Sequence, residues 1–254
     1  MVIGAQLYTI HDYTKDIASF SESLKKVADI GYKTVQVSGT CPYEAEWLKE
    51  ELDKNGLKCA ITHINPNDIK NDVDKVCRNH DIFECRNIGI GSMGYSTVTD
   101  ENFNEFVSTY RPLATRIKEN GHKFFFHNHH REFGRSIDGR VFMDKFIEEF
   151  PADILGVTFD TYWAQYAGAD PAVWIEKLKG RIECIHLKDM TVVDGEQRMA
   201  PVGSGNMNFE RIIERAEGSG VEYLLVEQDN CYGEDPFACL AKSYAYLTSL
   251  GLKA

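Results

Sequence analysis

Eight short apolar runs punctuate the chain: VIGAQLYTI, TVQVSG, LKCAITHI, NIGIGS, KFFFHN, ILGVTFD, IECIHLKD and YLLVEQD. Each has strand length, and most lack the polar alternation of a sheet with one wet face. That pattern predicts strands buried on both sides and hence a parallel sheet. Between the runs the period becomes helical. Ile17, Phe20, Leu24 and Val27 recur at i, i+3, i+7 and i+10, and Gly31 follows where a helix C-terminus favours glycine. Glu44 to Asn55 repeats the pattern around Trp47, Leu48 and Leu52 and closes on Gly56. Phe237, Leu240, Ala241, Tyr244 and Leu247 form a last amphipathic stretch. No Gly/Ser/Pro-rich linker divides the chain. Eight alternating strand–helix units without a boundary predict an α/β fold, a single (β/α)8 TIM barrel over residues 1–254. A doubly wound open sheet is the competitor, but GIGSMG at 89–94 lacks the GxGxxG spacing of a dinucleotide fold.

Composition narrows the function classes. The apolar share of 43% and charged share of 26% are those of an ordinary globular protein, and 254 residues bury enough surface to need no disulfides. A net charge of −11 argues against general affinity for nucleic acid or an anionic membrane. The opening MVIGAQLYTIHDYT has no basic region and is interrupted by Gln6, so neither a signal peptide nor a transmembrane span is expected. Seven cysteines without a CxxC pair are read as reduced thiols in the cytoplasm.

In a barrel of this kind chemistry gathers at the C-terminal strand ends. Those ends read Gln6 and Tyr8, Gln36, His63, Ser92, His127 and His129, Asp160, His186 with Lys188, and Glu227 with Asp229. The opposite ends show no such convergence. Alone, Asp160 could be a helix N-cap, a histidine a hydrogen-bonded structural residue, and Glu227 a solvated rim charge. Together, an Asp, a His and a Glu closing three successive strands predict a divalent-metal site. A fourth ligand is expected from strand five. There, alternation sets His127 and His129 on one face with Phe125, and Asn128 on the other with Phe126, while Glu132 lies in the following loop. A carboxylate-rich shell favours Mn²⁺, Mg²⁺ or Co²⁺, with Zn²⁺ as an alternative.

At these residues the chain resembles the sugar phosphate isomerase/epimerase family, xylose-isomerase-like barrels that include inosose dehydratases and ketose epimerases. GAQLYTI, LKKVADIGYKTVQVSG, ITHINPNDI, NIGIGSMG, FHNHHREF, FDTYWAQYAGADP, GRIECIHLKDM, VGSGNMNF and VEQDN fall in the family's order. The resemblance implies one divalent metal held by Asp160, His186 and Glu227. In strand five it ranks Glu132 first as the remaining ligand and His127 second. It implies an enzyme acting on a keto-sugar or cyclitol carbohydrate by proton abstraction beside the carbonyl, through an enediolate that the metal stabilises. His127, Glu132 and Glu227 are the expected proton-handling groups, and Tyr8, His63, His129, Trp163 and Lys188 the expected substrate contacts. Isomerisation or epimerisation leads. Elimination by a lyase or dehydratase on a keto-sugar, keto-glycoside or inosose shares the first step, and a non-catalytic sugar-binding barrel or partner subunit is the reading from another class. Endonuclease IV shares the barrel, but its larger metal cluster and basic surface have no counterpart here. The VGSGNMN loop could cradle phosphate, although a turn capped by Asn208 accounts for it as well. Self-association into a homo-oligomer is left open.

Overall fold

The computed structural model describes residues 1–254. Its strands are β1 (Val2–Gln6), β2 (Thr34–Val37), β3 (Lys58–His63), β4 (Asn87–Ile90), β5 (Lys123–His127), β6 (Leu155–Asp160), β7 (Cys184–Leu187), β8 (Asp189–Val193), β9 (Glu196–Ala200) and β10 (Tyr223–Val226). Eight of them close a parallel barrel in the order β1-β10-β7-β6-β5-β4-β3-β2. These are the eight apolar runs of the sequence, and helices fill the intervals. Closure is direct: β1 pairs with β10 on one side and β2 on the other, and the Ile3 N–H donates to the Lys253 carbonyl at 2.7 Å. No helix is long and apolar enough to cross a membrane.

The three phenylalanines of KFFFH divide between two cores. Phe124 and Phe126 point outward into the helical layer, where Phe124 stacks on Tyr110 and Phe126 on Phe146. Phe125 points into the barrel and packs with Ala60, Cys184 and Leu225. Its ring lies over the neighbouring strand: a Cβ on Gly156, its register partner in β6, would lie 2.3 Å from it, so glycine is required there. The alternation then continues upward on the inward face. Two residues above Phe125, Cys184 and Leu225 stand His127, His186 and Glu227.

Two sequence expectations shift. Ile17 is 41% exposed, so the first helix (Ile17–Ile30) buries Phe20, Leu24 and Val27 but not its first apolar residue. The antiparallel β8–β9 hairpin, absent from the expected elements, rises from the rim after β7. Its turn is Asp194–Gly195, both at positive φ, the Asp-Gly signal of a two-residue hairpin.

Candidate metal centre

Four buried side chains converge at the C-terminal mouth of the barrel. One ligand atom each from His127, Asp160, His186 and Glu227 lies within 4.8 Å of the others. Each is set by its strand end and then aimed by a second contact. The Asp160 Oδ1 accepts the Trp163 N–H at 2.9 Å, capping the short helix Thr161–Tyr166. Its Oδ2 faces the centre, so this aspartate is both a helix cap and a central group. Asn128, on the other face of the strand-five segment, accepts from the Asp160 N–H at 2.9 Å and locks the two chain segments together. Gln6 donates to Glu227 Oε1 at 2.8 Å, which leaves Oε2 to face inward.

The two imidazoles carry the decisive detail. The His186 Nε2 lies 2.7 Å from the side-chain Oε1 of Gln36, and the His127 Nδ1 lies 3.1 Å from the Gly91 backbone carbonyl. Each acceptor calls for a ring N–H, so in the neutral tautomer the other nitrogen offers a lone pair. Those nitrogens face carboxylate oxygens: His127 Nε2 is 3.3 Å from Asp160 Oδ2, and His186 Nδ1 is 2.8 Å from Glu227 Oε2. The latter contact lacks hydrogen-bond geometry: both atoms are buried without a hydrogen-bond partner, and Oε2 meets only an ion-pair contact. Lone pairs facing carboxylates repel unless a cation stands among them. Burial pulls the His186 imidazolium down, yet the carboxylates of Glu227 and, at 3.7 Å, Asp160 prevail and push it up to about 9. In effect, this position demands positive charge.

Lys188 supplies part of it. Its buried ammonium lies 2.8 Å from Glu227, 2.8 Å from Asp229 and 3.1 Å from Asp160. Against the burial that opposes it, this ammonium holds Asp160 and Glu227 well below the usual carboxylate range. With both imidazoles neutral, as ligation of a cation requires, the three carboxylates against one ammonium leave two negative charges, which a divalent cation matches. The residues present therefore fit a metal ion.

Glu132 stands elsewhere, contrary to its first rank among expected strand-five ligands. It is fully buried in the 3₁₀ turn His130–Phe133, and its Oε2 accepts the His129 N–H at 2.7 Å. That turn folds the carboxylate back on its own backbone, and the inward-facing His127 takes the place in the cluster. The donor set is thus two nitrogens and two oxygens rather than the carboxylate-rich shell expected.

Above the cluster lies a pocket of about 240 Å³. Tyr8, His63, His129, Trp163 and Lys188 all line it, as do Arg131 and Asp229, to which sequence reasoning gave no role. Asp229 could have been singled out as the final acid of VEQD. Gln6 and Gln36, noticed only as strand ends, turn out to orient the cluster. The VGSGNMN loop does not offer a phosphate cradle. The carboxylate of Asp189 already accepts the N–H groups of Gly203 at 3.0 Å, Gly205 at 2.9 Å and Met207 at 3.2 Å, and Asn208 caps the next helix.

Fold and site define a TIM barrel with a buried two-imidazole, two-carboxylate cluster at its C-terminal rim. The chain belongs to the xylose isomerase-like TIM barrel family, whose model matches residues 24–240. Inosose dehydratase of Clostridium perfringens (strain 13 / Type A) is 21% identical to it, over 89% of this chain and 86% of the relative. A sugar phosphate isomerase/epimerase from Parabacteroides distasonis superposes with a TM-score of 0.82 at 20% identity, covering 97% of this chain and 93% of the other. L-ribulose 3-epimerase does so with 0.75 at 15% identity, covering 99% and 95%. At such identities the superpositions speak to the fold.

Proposed function

We propose that the protein is a divalent-metal-dependent isomerase or epimerase acting on a keto-sugar or cyclitol, moving a proton on the carbon beside the carbonyl. One observation carries this reading: two imidazole nitrogens and two carboxylate oxygens meet within 4.8 Å beneath a polar pocket. His127, Asp160, His186 and Glu227 would hold the ion. Their mixed nitrogen and oxygen donors suit Mn²⁺, Co²⁺ or Zn²⁺ better than Mg²⁺. When bound, such an ion polarises a carbonyl and acidifies the adjacent C–H.

The chain's own groups supply the rest. Asp229 lines the pocket, and burial, followed by the charge of Glu227, raises its carboxyl to about 6. A carboxylate poised there is ionised at neutral pH yet basic enough to take a proton. The Lys188 ammonium beside it opposes the negative charge that develops on the substrate oxygen. Burial holds His129 down to about 2, so it serves as a neutral hydrogen-bonding group. Trp163 and Tyr8 offer flat faces to a sugar ring. The seven free cysteines support a reducing, cytoplasmic setting.

A lyase is the second reading. Inversion at a carbon is best served by two acid–base groups on opposed faces. Asp229 is the one carboxylate lining the pocket outside the cluster. Elimination needs only one such base for its first step, and the Clostridium perfringens relative is an inosose dehydratase. The test incubates metal-loaded protein with ketoses, 3-keto-sugars and inososes in D₂O. Deuterium should enter beside the carbonyl. Loss of water from the product identifies the lyase, and neither exchange nor loss of water in any compound with metal bound would refute both readings.

A further inference from the structure

The central pocket holds more donors than proton transfer uses. Arg131 and Trp163 both line it, and Arg131 Nε and Trp163 Nε1 are buried without an acceptor. Guanidinium and indole N–H groups donate and never accept. Arg131 is held by one arm only. Its Nη1 donates to the Tyr95 carbonyl and ties the 3₁₀ turn after β5 to the loop after β4. The Nε–Nη2 edge is left over, on a side chain 22% exposed. Glu132 Oε1 stands 3.8 Å from Nε, outside hydrogen-bond reach, while Oε2 is taken by the His129 N–H. Burial also raises the Glu132 carboxyl to about 7, so at neutral pH it offsets only part of the guanidinium charge.

Lys188, by contrast, is fully engaged by Asp160, Glu227 and Asp229. With a divalent ion among them, three carboxylates, one ammonium and the ion sum to zero. Arg131 is then the surplus charge of the pocket. Its free edge presents two parallel N–H groups, the fork that matches the two oxygens of a carboxylate. Trp163 brings a further donor, and its ring lies 5.4 Å from the His129 ring and 5.6 Å from the Lys188 ammonium. Small-ligand sites usually span about 300–1,000 Å³. At about 240 Å³ this pocket suits one ring with a compact, singly charged substituent rather than a bulkier phosphate dianion.

We propose that the substrate is a sugar acid, whose carboxylate is bound by the free Nε–Nη2 edge of Arg131 and supported by the Trp163 indole N–H. Arg131 is thereby a specificity-determining residue. This rests on the proton-transfer reading above for the keto group of the same ring. The experiment titrates the Mn²⁺-loaded protein calorimetrically with D-glucuronate and D-galacturonate, against D-glucose, D-galactose and their 6-phosphates. At least one uronate should bind about tenfold tighter or better than its neutral and phosphorylated counterparts, the scale of hydrogen bonds to a charged group. Arg131→Gln should abolish that preference with the metal still bound. Arg131→Lys keeps the charge without the fork and should retain only part of it. Trp163→Phe keeps an aromatic face without the N–H and should also weaken it. No uronate preference in the wild type, including no binding at all, would overturn the inference, as would a preference for a 6-phosphate. So would a preference that survives Arg131→Gln, the mark of a carboxylate held by the metal alone. Should Arg131→Gln fail to fold, a preference unchanged in both Arg131→Lys and Trp163→Phe has the same force. Deuterium uptake into keto-sugars is read separately. Uptake without a uronate preference removes only the carboxylate site; a uronate preference without uptake removes only the proton transfer.

Discussion

His127 and Glu132, five residues apart, show how little separates two roles. His127 ends β5 on the inward face and joins the cluster without any turn of the chain. Glu132 is drawn aside by a backbone N–H within its own 3₁₀ turn. His127→Gln should therefore lose most of the metal, whereas Glu132→Gln should retain it, as read by metal analysis of the purified variants. Glu132 should also leave a mark on stability. Burial, opposed by backbone hydrogen bonds, raises its carboxyl from 4.5 to about 7. A raised acid favours the folded state most below its unfolded value, and that contribution fades as pH climbs from about 4.5 through 7. Chemical unfolding at pH 5 and pH 8 should show Glu132→Gln gaining on the wild type at the higher pH, by up to about 3 kcal/mol. An unchanged gap would mean that the carboxyl is not strained by burial.

Among the elements, the segment after β7 is the least expected and the most tightly tied. Asp189 begins β8, yet its two oxygens gather the N–H groups of Met190, Gly203, Gly205 and Met207, pinning the hairpin to the glycine loop. Gly205 lies so close that a Cβ there would stand 2.5 Å from the carboxylate. Asp189→Asn puts an N–H₂ against these donors and should cost about 1–3 kcal/mol, the usual price of an unsatisfied buried group. Phosphate should give no compensating protection in a thermal shift assay. The regular elements were legible in advance because their period follows from burial. The hairpin was not, since Thr191 to Gln197 are polar or exposed and only Asp194–Gly195 marks the turn.

At the scale of the molecule, closure of β1 on β10 makes the first and last strands interdependent. We accordingly expect residues 1–254 to unfold as one domain in a single transition. An ion that binds only the folded barrel must move that transition. Excess Mn²⁺ at about 100 times its dissociation constant adds about 2.7 kcal/mol and should raise Tm by about 5–10 °C over chelator-treated protein. Two separated transitions would count against one domain, and no shift on metal addition would count against the centre.

The sequence by itself determined the eight strands, their parallel pairing, and the gathering of Asp160, His186 and Glu227 at one rim. Strand length, two-sided burial and the alternation of side chains are local properties, written in the order of residues. Tertiary structure alone decided the fourth member of the cluster, the proton positions on its imidazoles and the fate of the glycine loop. These depend on partners far away in the chain: Gln36 on His186, Gly91 on His127, Asp189 on Gly205. A histidine's lone pair points where its other nitrogen finds an acceptor, and only the closed barrel brings that acceptor within reach.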